Sequence, residues 1–468
     1  MLTLTPKELK RFHKYLTSPF FNTHKDTIRL FEVLAAAYPD FPPEKIEAQT
    51  IFYQLFPDTP YKDEVLRTLR KYLLNHLKNF ITYLAWQEDT HSPNLFLLEA
   101  LSNRGREEDF VKEFNKSKKK LKTIKQLDSS SFFQQYYLDK VWITHELMFR
   151  KRKQLPDMKS PSVSLDHFYL NEKLQLYASA LGSSNVLATE LSHFFFKEEI
   201  LAIVQENLDR FPLLIQANYL AVTFLENEQT SADNFGRFRQ ILSEHTDAFS
   251  IQDLGNLYIY AINFANRQYL HGKKAFLSQM FELYKEMLDL DLLFDGKSFP
   301  AMNYKNLTTL GLRLGELTWT EQFLESYKDK LKEESRQDSY HYNLAHLRLY
   351  QQQYSEALKL LQTVSFLDAF YQMDAKLLQL KIYYEMGEVE MFFTLNKTFQ
   401  THISRQKNIP QARRQAYLNF ARLTKSLFRI RIDEKSNLKE VVAKVETMVP
   451  LIEKEWLKIE MEKLQENH

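Results

Sequence analysis

The 468-residue chain has no cysteine, which excludes disulfides, thiolate metal sites and cysteine nucleophiles and fits a reducing compartment. Glycine is nearly as scarce, with 9 residues where average usage of roughly 7% would supply about 33. That shortage argues against folds built on tight β-turns and against glycine-rich phosphate loops. Neither Gly-x-x-x-x-Gly-Lys nor Gly-x-Ser-x-Gly occurs. Charge of one sign is lacking too: 62 Lys and Arg stand against 60 Asp and Glu, so any attraction to nucleic acid or anionic lipid has to be local. No apolar run approaches the roughly 18 residues of a membrane span, and Met1 to Lys10 reads as a capped helix rather than an export signal. The expectation is a soluble cytoplasmic protein with no cofactor, no bound metal and no membrane association.

What is abundant is Leu, Glu, Lys, Gln, Tyr and Phe, with 14% aromatic residues, and this predicts an all-α fold. Thr5-Pro6-Lys7-Glu8 forms a capping box with proline at the first helical position, opening a helix to about Thr17. Asn22 or Thr23 is expected to cap a second helix through Ala37, and a short helix follows with Ile51, Phe52, Leu55 and Phe56. A long helix from Lys62 to about Gln87 carries Leu66, Leu69, Leu73, Leu77, Phe80 and Leu84 on one side. These helices make a helical N-terminal domain, residues 1–90. Residues 91–160 read as a hairpin turning at Asn103-Arg104-Gly105, a helix from Phe132 to Lys153, and a hinge over Leu155 to Ser164, where Pro156, Pro161 and several serines gather. Helices over Leu165–Leu181 and Asn185–Asn207 come next. Residues 161–432 are expected to form a repeat array and residues 433–468 a terminal cap.

The array is carried by a 35-residue repeat between Tyr304 and Gln400. Trp319, Tyr354 and Val389 align, and with them Leu310, Ala345 and Leu380; Leu314, Leu349 and Tyr384; Phe323, Leu358 and Phe393. Each unit holds two apolar runs at helical spacing around a polar break such as Gln351-Gln352-Gln353. A lone hairpin of this size buries too little to offset the entropy of ordering it, so neighbours must cover each other. Asn343, Leu344, Ala345, Tyr354, Ala357, Leu358 and Leu361 resemble a tetratricopeptide repeat, with a Leu-small pair in the first helix, an aromatic near the start of the second and a small residue three positions later. The match covers part of that pattern: His341 stands where an aromatic is usual, Gln352 replaces the turn glycine, and no proline ends the unit near Ala369, whereas the next unit keeps Gly387 but places Phe392 at the small position. The resemblance, extended over about residues 211–430, implies an α-solenoid of antiparallel helix pairs that binds a protein or peptide on a concave face.

Six local features are candidate sites by residue type and spacing. Met391 to Ile432 contains Lys397, Arg405, Lys407, Arg413, Arg414, Arg422, Lys425, Arg429 and Arg431 and no acidic residue. On a helix starting near Pro410, Ala412, Ala416, Phe420, Leu423, Leu427 and Ile430 form a stripe, with Arg414, Arg422, Lys425 and Arg429 opposite. That basic face is either an ordinary solvated surface or a contact for an acidic partner or nucleic acid. Lys112, Lys116, Lys118, Lys119, Lys120, Lys122 and Lys125 read as solubilising, and Arg67, Arg70, Lys71 and Lys78 resemble a DNA-reading helix only weakly. Glu282, Glu286 and Asp289 share a helix face without ligating histidines and read as a solvated acidic edge, while His341 and His346, five apart, fall on different faces. The last helix, Leu438 to Ile459, carries a heptad seam of Leu438, Val442, Val445, Val449, Ile452, Trp456 and Ile459 interrupted by Pro450, which is expected to kink or split it; the segment is either a cap or a dimer contact, so oligomeric state stays open. The reading is a non-catalytic scaffold for a protein or peptide partner; the alternative is a nucleic-acid-associated regulator using the basic helix.

Overall fold

The computed structural model describes residues 2–88, 95–123, 128–149, 158–183, 194–226, 231–365, 369–406, 409–432 and 438–466. Every regular element among them is helical, with only two isolated β-bridges, Asp295 to Ser298 and Phe299 to Leu331. The chain divides into two compact units, residues 1–125 with 129–166 and residues 126–128 with 167–468.

The first unit contains α1 (Pro6–Thr17), α2 (Lys25–Ala35), α3 (Pro43–Ile46), α4 (Ala48–Leu55), α5 (Asp63–Glu88), α6 (Leu95–Asn103), α7 (Glu107–Lys122) and α8 (Ser129–Phe149). The expected capping box is present: Glu8 N donates to Thr5 Oγ1 at 3.3 Å and Thr5 N to Glu8 Oε2 at 2.7 Å. Asn22 departs from expectation. It braces the α1–α2 turn by donating to Leu16 O at 3.0 Å and accepting from His24 N at 2.9 Å, and α2 starts three residues later with His24 before it. Phe12, Phe31, Phe52, Leu66, Leu69 and Phe80 fill one core, and Leu98, Phe110, Phe114 and Leu138 a second. The expected hinge lies partly outside the described residues. Where it is described, from Lys159, it is helix α9 (Lys159–Ser183), which contributes to both units. Ser160 and Ser164 each donate to Asp139 Oδ2 at 3.0 Å, so the serines that read as loop-forming are tied to a buried carboxylate.

The second unit continues with α10 (Lys197–Glu206), α11 (Leu213–Glu226), α12 (Ser231–Glu244), α13 (Ile251–Leu270), α14 (Ala275–Asp289), α15 (Ala301–Arg313), α16 (Leu317–Tyr327), α17 (Glu333–Tyr350), α18 (Tyr354–Gln362), α19 (Ala369–Met386), α20 (Val389–Arg405), α21 (Gln411–Ile432), α22 (Leu438–Thr447) and α23 (Lys454–Glu466). Of the expected helix over 185–207, residues 184–193 lie outside the described residues and α10 is the remainder. Neighbouring helices pack as pairs, α11 on α12, α13 on α14, α15 on α16, α17 on α18 and α19 on α20, and α17 also packs on α15 and α19.

The four pairs from α13–α14 to α19–α20 share one turn chemistry. A residue with left-handed φ ends the first helix at Gly272, Gly315, Gln352 and Gly387, with φ of 87°, 77°, 61° and 73°. The next amide reaches back five residues in each case: Lys273 N to Gln268 O at 3.1 Å, Glu316 N to Gly311 O at 2.9 Å, Gln353 N to Arg348 O at 2.8 Å and Glu388 N to Tyr383 O at 3.1 Å. This is a Schellman closure, which satisfies the last carbonyls of the first helix. Gln352 performs it without the freedom of glycine.

These turns lie 43, 37 and 35 residues apart, and they correct the repeat register. Tyr354 and Val389 both follow their turn residue by two positions, but Trp319 follows Gly315 by four. Trp319 packs edge-on to Phe281 with ring centroids 4.7 Å apart and stacks on Phe323 at 5.3 Å, whereas Val389 is 44% exposed. The position five residues after the turn is fully buried in all three pairs, as Thr320, Ala357 and Phe392. The other repeat columns carry core: Leu310, Phe323, Ala345 and Leu380 are buried, and Tyr354, Leu358 and Phe393 are half-buried against core residues.

Candidate functional site

Each expected site sits in a definite setting. α21 has its stripe of Ala416, Phe420, Leu423, Leu427 and Ile430 buried, but Tyr417, Ala421, Thr424 and Phe428 are buried as well, and Ala412 is exposed. It packs on α20, α22 and α23, so it is a core helix whose uncovered side is narrow. Arg422 and Arg429 are exposed on that side, with Arg414 and Lys425 half-buried. Two other cations of the run serve the fold: Arg431 donates to Tyr384 O at 2.5 Å and covers the Tyr384 ring at 5.2 Å, and the Arg413 guanidinium lies 5.7 Å from the Tyr417 ring. Lys407 lies outside the described residues, as does Lys125 of the other lysine run. The remaining lysines of that run lie on α7, whose buried residues are Phe110, Phe114, Ser117 and Leu121. On α5, Arg67, Arg70, Lys71 and Lys78 are exposed, and Arg67 pairs with Asp63 at 2.7 Å.

The acidic edge on α14 is corrected at Glu286. Its carboxylate accepts both Arg239 nitrogens, at 2.6 and 2.8 Å, and the Tyr258 hydroxyl at 3.0 Å. Burial alone would raise its pKa, but Arg239 holds it below the ordinary glutamate value. A planar fork on α12 and a hydroxyl on α13 make this an inter-helix clamp. The heptad seam splits at Pro450 as expected: α22 and α23 are separate helices, and Val449 between them is 85% exposed, so no continuous stripe runs from Leu438 to Ile459.

The most concentrated polar chemistry in the second unit lies along α15, α17 and α19, and the sequence reading did not find it. Lys305 and Arg313 stand eight apart on α15; Tyr342, His346 and Tyr350 stand four apart on α17; Asp374 and Lys381 stand seven apart on α19. Those intervals bring each set to one helix face. At one end Lys305 pairs with Asp374, which also accepts the Tyr417 hydroxyl, and the Lys305 ammonium lies 5.4 Å and 4.9 Å from the ring centres of Tyr342 and Tyr371. At the other end Lys381, 2% exposed, donates to Glu453 Oε2 at 2.9 Å, while Arg313 donates to Glu453 Oε1 at 3.2 Å.

Glu453 comes from the segment between α22 and α23, immediately before the first residue of α23, and its φ is 55°. A non-glycine residue held there is strained and persists only where its surroundings over-determine it; here the carboxylate is gripped from two helices. Burial would push this carboxyl up, yet the Lys381 and Arg313 charges and the Lys381 hydrogen bond bring it down to about 2. Burial, reinforced by the charges of Lys381 and Arg313, lowers His346 to about 3, so its imidazole is neutral at physiological pH. The buried Nδ1 of His346 has no hydrogen-bond partner among the described residues. Trp456, in the first turn of α23, lies 5.3 Å from the Lys381 ammonium and edge-on to Tyr384 at 5.2 Å. Beside these groups opens a cavity of about 790 Å³ lined by Tyr269, Leu270, Arg313, Tyr350, Lys381, Glu453 and Trp456.

Chemically, two fixed cations take one carboxylate, and an aromatic ring covers one of them. The signal available in the sequence was Lys381 lying between Leu380 and Ile382, a cation inside an apolar run. No family model, no curated protein and no solved structure matches the chain.

Proposed function

We propose that the chain is a non-catalytic scaffold whose second unit is a tetratricopeptide-like array of antiparallel helix pairs, presenting the first helices of successive pairs as a face on which a protein or peptide docks. The observation that carries this reading is the polar stripe across α15, α17 and α19, where Lys381 and Arg313 hold the Glu453 carboxylate beside an open cavity. A face built from several helices with alternating apolar and charged positions is how stacked hairpins offer a long binding surface. Such a scaffold works in the cytoplasm, without a cofactor.

Tyr350 lines the cavity and is 39% exposed, so a photo-crosslinking amino acid placed there reports on the partner. The expected product is a protein crosslink that survives nuclease and is missing when the same group replaces Leu176, 59% exposed on α9. A crosslink equally strong at Leu176, or none at Tyr350 in cells, overturns the reading. The nucleic-acid alternative rests on Arg414, Arg422, Lys425 and Arg429 and is read in parallel by titrating single- and double-stranded oligonucleotides. Four engaged phosphates give a slope of log affinity against log salt of about −3 to −4, and absence of binding at low salt removes that alternative.

A further inference from the structure

We propose that residues 448–466 are an internal ligand of the scaffold face, and that the partner is a helical segment with a carboxylate three residues ahead of a large aromatic ring, which takes the seat this segment occupies. The proposal rests on the scaffold reading above and deepens it by naming the ligand chemistry and its control.

Four observations support it. Besides the apolar contacts of Leu457, Met461 and Leu464, the segment is attached by polar contacts at discrete points: Glu453 to Lys381 and Arg313, Pro450 O accepting from Asn419 Nδ2 at 2.8 Å, and Lys463 placed 3.7 Å from Glu385. Glu453 supplies its carboxylate from left-handed backbone, a strained geometry that an outside segment with an unstrained helix start would not have to adopt. Lys381 is almost fully buried, and a buried cation needs a partner, so the face calls for a carboxylate whoever brings it. The Trp456 ring reads both Lys381 and the apolar wall, resting on Tyr384 and on Phe420 with centroids 5.8 Å apart. The spacing from Glu453 to Trp456 therefore defines the recognition element, acid followed by an aromatic one helical turn later. A segment joined to the face by its own chain is present at high effective concentration, so an outside ligand competes poorly until the internal one is weakened.

The test uses the full chain and a fluorescent peptide of residues 448–466. Against wild type, binding is expected to be weak. In full chains carrying Glu453→Gln and Trp456→Ala together, the same peptide is expected to bind at least tenfold more tightly, and adding Lys381→Met to that background is expected to remove the gain. Helicity measured on each chain shows that it is folded. Equal peptide affinity for wild type and the double variant, or a gain that Lys381→Met leaves untouched, overturns the proposal. Hydrogen exchange on the wild-type chain gives a second measure that needs no variant. Amides of α23 are expected to exchange at least tenfold faster than those of α21, and exchange at the same rate would make α23 a permanent part of the core and overturn it. A protein crosslink at Tyr350 alongside a failed peptide experiment would sink this inference alone; failure of the Tyr350 crosslink sinks the scaffold reading itself.

Discussion

Gln352 takes φ of 61° at the turn between α17 and α18, where the neighbouring pairs use Gly315 and Gly387. Left-handed backbone costs an ordinary L-residue about 1–2 kcal/mol, part of which glycine returns as unfolded-state entropy. Gln352→Gly is therefore expected to raise stability by roughly 0.5–1 kcal/mol, read as a higher urea midpoint with unchanged slope; a lower midpoint would mean that the Gln352 side chain supports the turn. Five residues on, Ala357 is fully buried among Tyr342, Ala345, Leu349 and Leu361. Three extra carbons have no room there, so Ala357→Leu is expected to cost about 1–3 kcal/mol through overpacking. An unchanged midpoint would place the helix crossing elsewhere. The repeat register was half legible at this scale. Tyr354 and Val389 were aligned correctly because their turns lie 35 residues apart, and Trp319 was not, because α15 and α16 close at Gly315, 37 residues before Gln352. Side-chain similarity favoured Trp319 as the aromatic partner of Tyr354, but the hydrogen-bonded turn decides where a helix starts.

Helix ends and apolar stripes were readable element by element, since caps and 3.6-residue periodicity are local. The α5 stripe, the α6–α7 turn at Gly105 and the α1 capping box stand where expected. What each helix does with its other side was not readable. α21 carries charge opposite an apolar stripe as any surface helix does, and only the presence of α20, α22 and α23 around it shows that a second side is buried. α22 and α23, divided at Pro450 as expected, join the core of α19 and α21 through Val441, Val445, Leu457, Met461 and Leu464. Stopping the chain after Asp433 removes those five side chains and uncovers their neighbours Tyr384, Phe420 and Phe428. The expected result by light scattering is aggregation of the shortened chain. A monodisperse shortened chain, smaller than the full-length particle by a whole subunit, would show instead that the last helices join two copies.

At the scale of the molecule, the buried charges give the second unit an acid dependence with a definite sign. His346 drops from its ordinary 6.5 to about 3 because of burial first and then the charges of Lys381, Arg313 and Lys305, with Glu453 acting the other way. Its unfolded form binds a proton below pH 6.5 that the folded form refuses, so the stability present above 6.5 is lost as pH falls towards 3, at up to about 1.4 kcal/mol per pH unit. Glu453, down from 4.5 to about 2, adds a second loss as pH falls through that lower window. The urea midpoint is therefore expected to fall between pH 6.5 and 4.5 more steeply in wild type than in His346→Gln, whose side chain does not titrate. Parallel curves would show that His346 is not buried beside these cations.

Composition and periodicity were enough to specify helices, their approximate ends and their pairing with near neighbours, because each depends on residues within a turn or two of one another. Which cation meets which carboxylate, which side of α21 is covered and what lies against α19 depended on residues far apart in the chain: Arg313 and Lys381 meet Glu453 across 140 and 72 residues. Such contacts form only once packing has set the distances between helices, and a buried charge takes its partner from whatever that packing brings within reach.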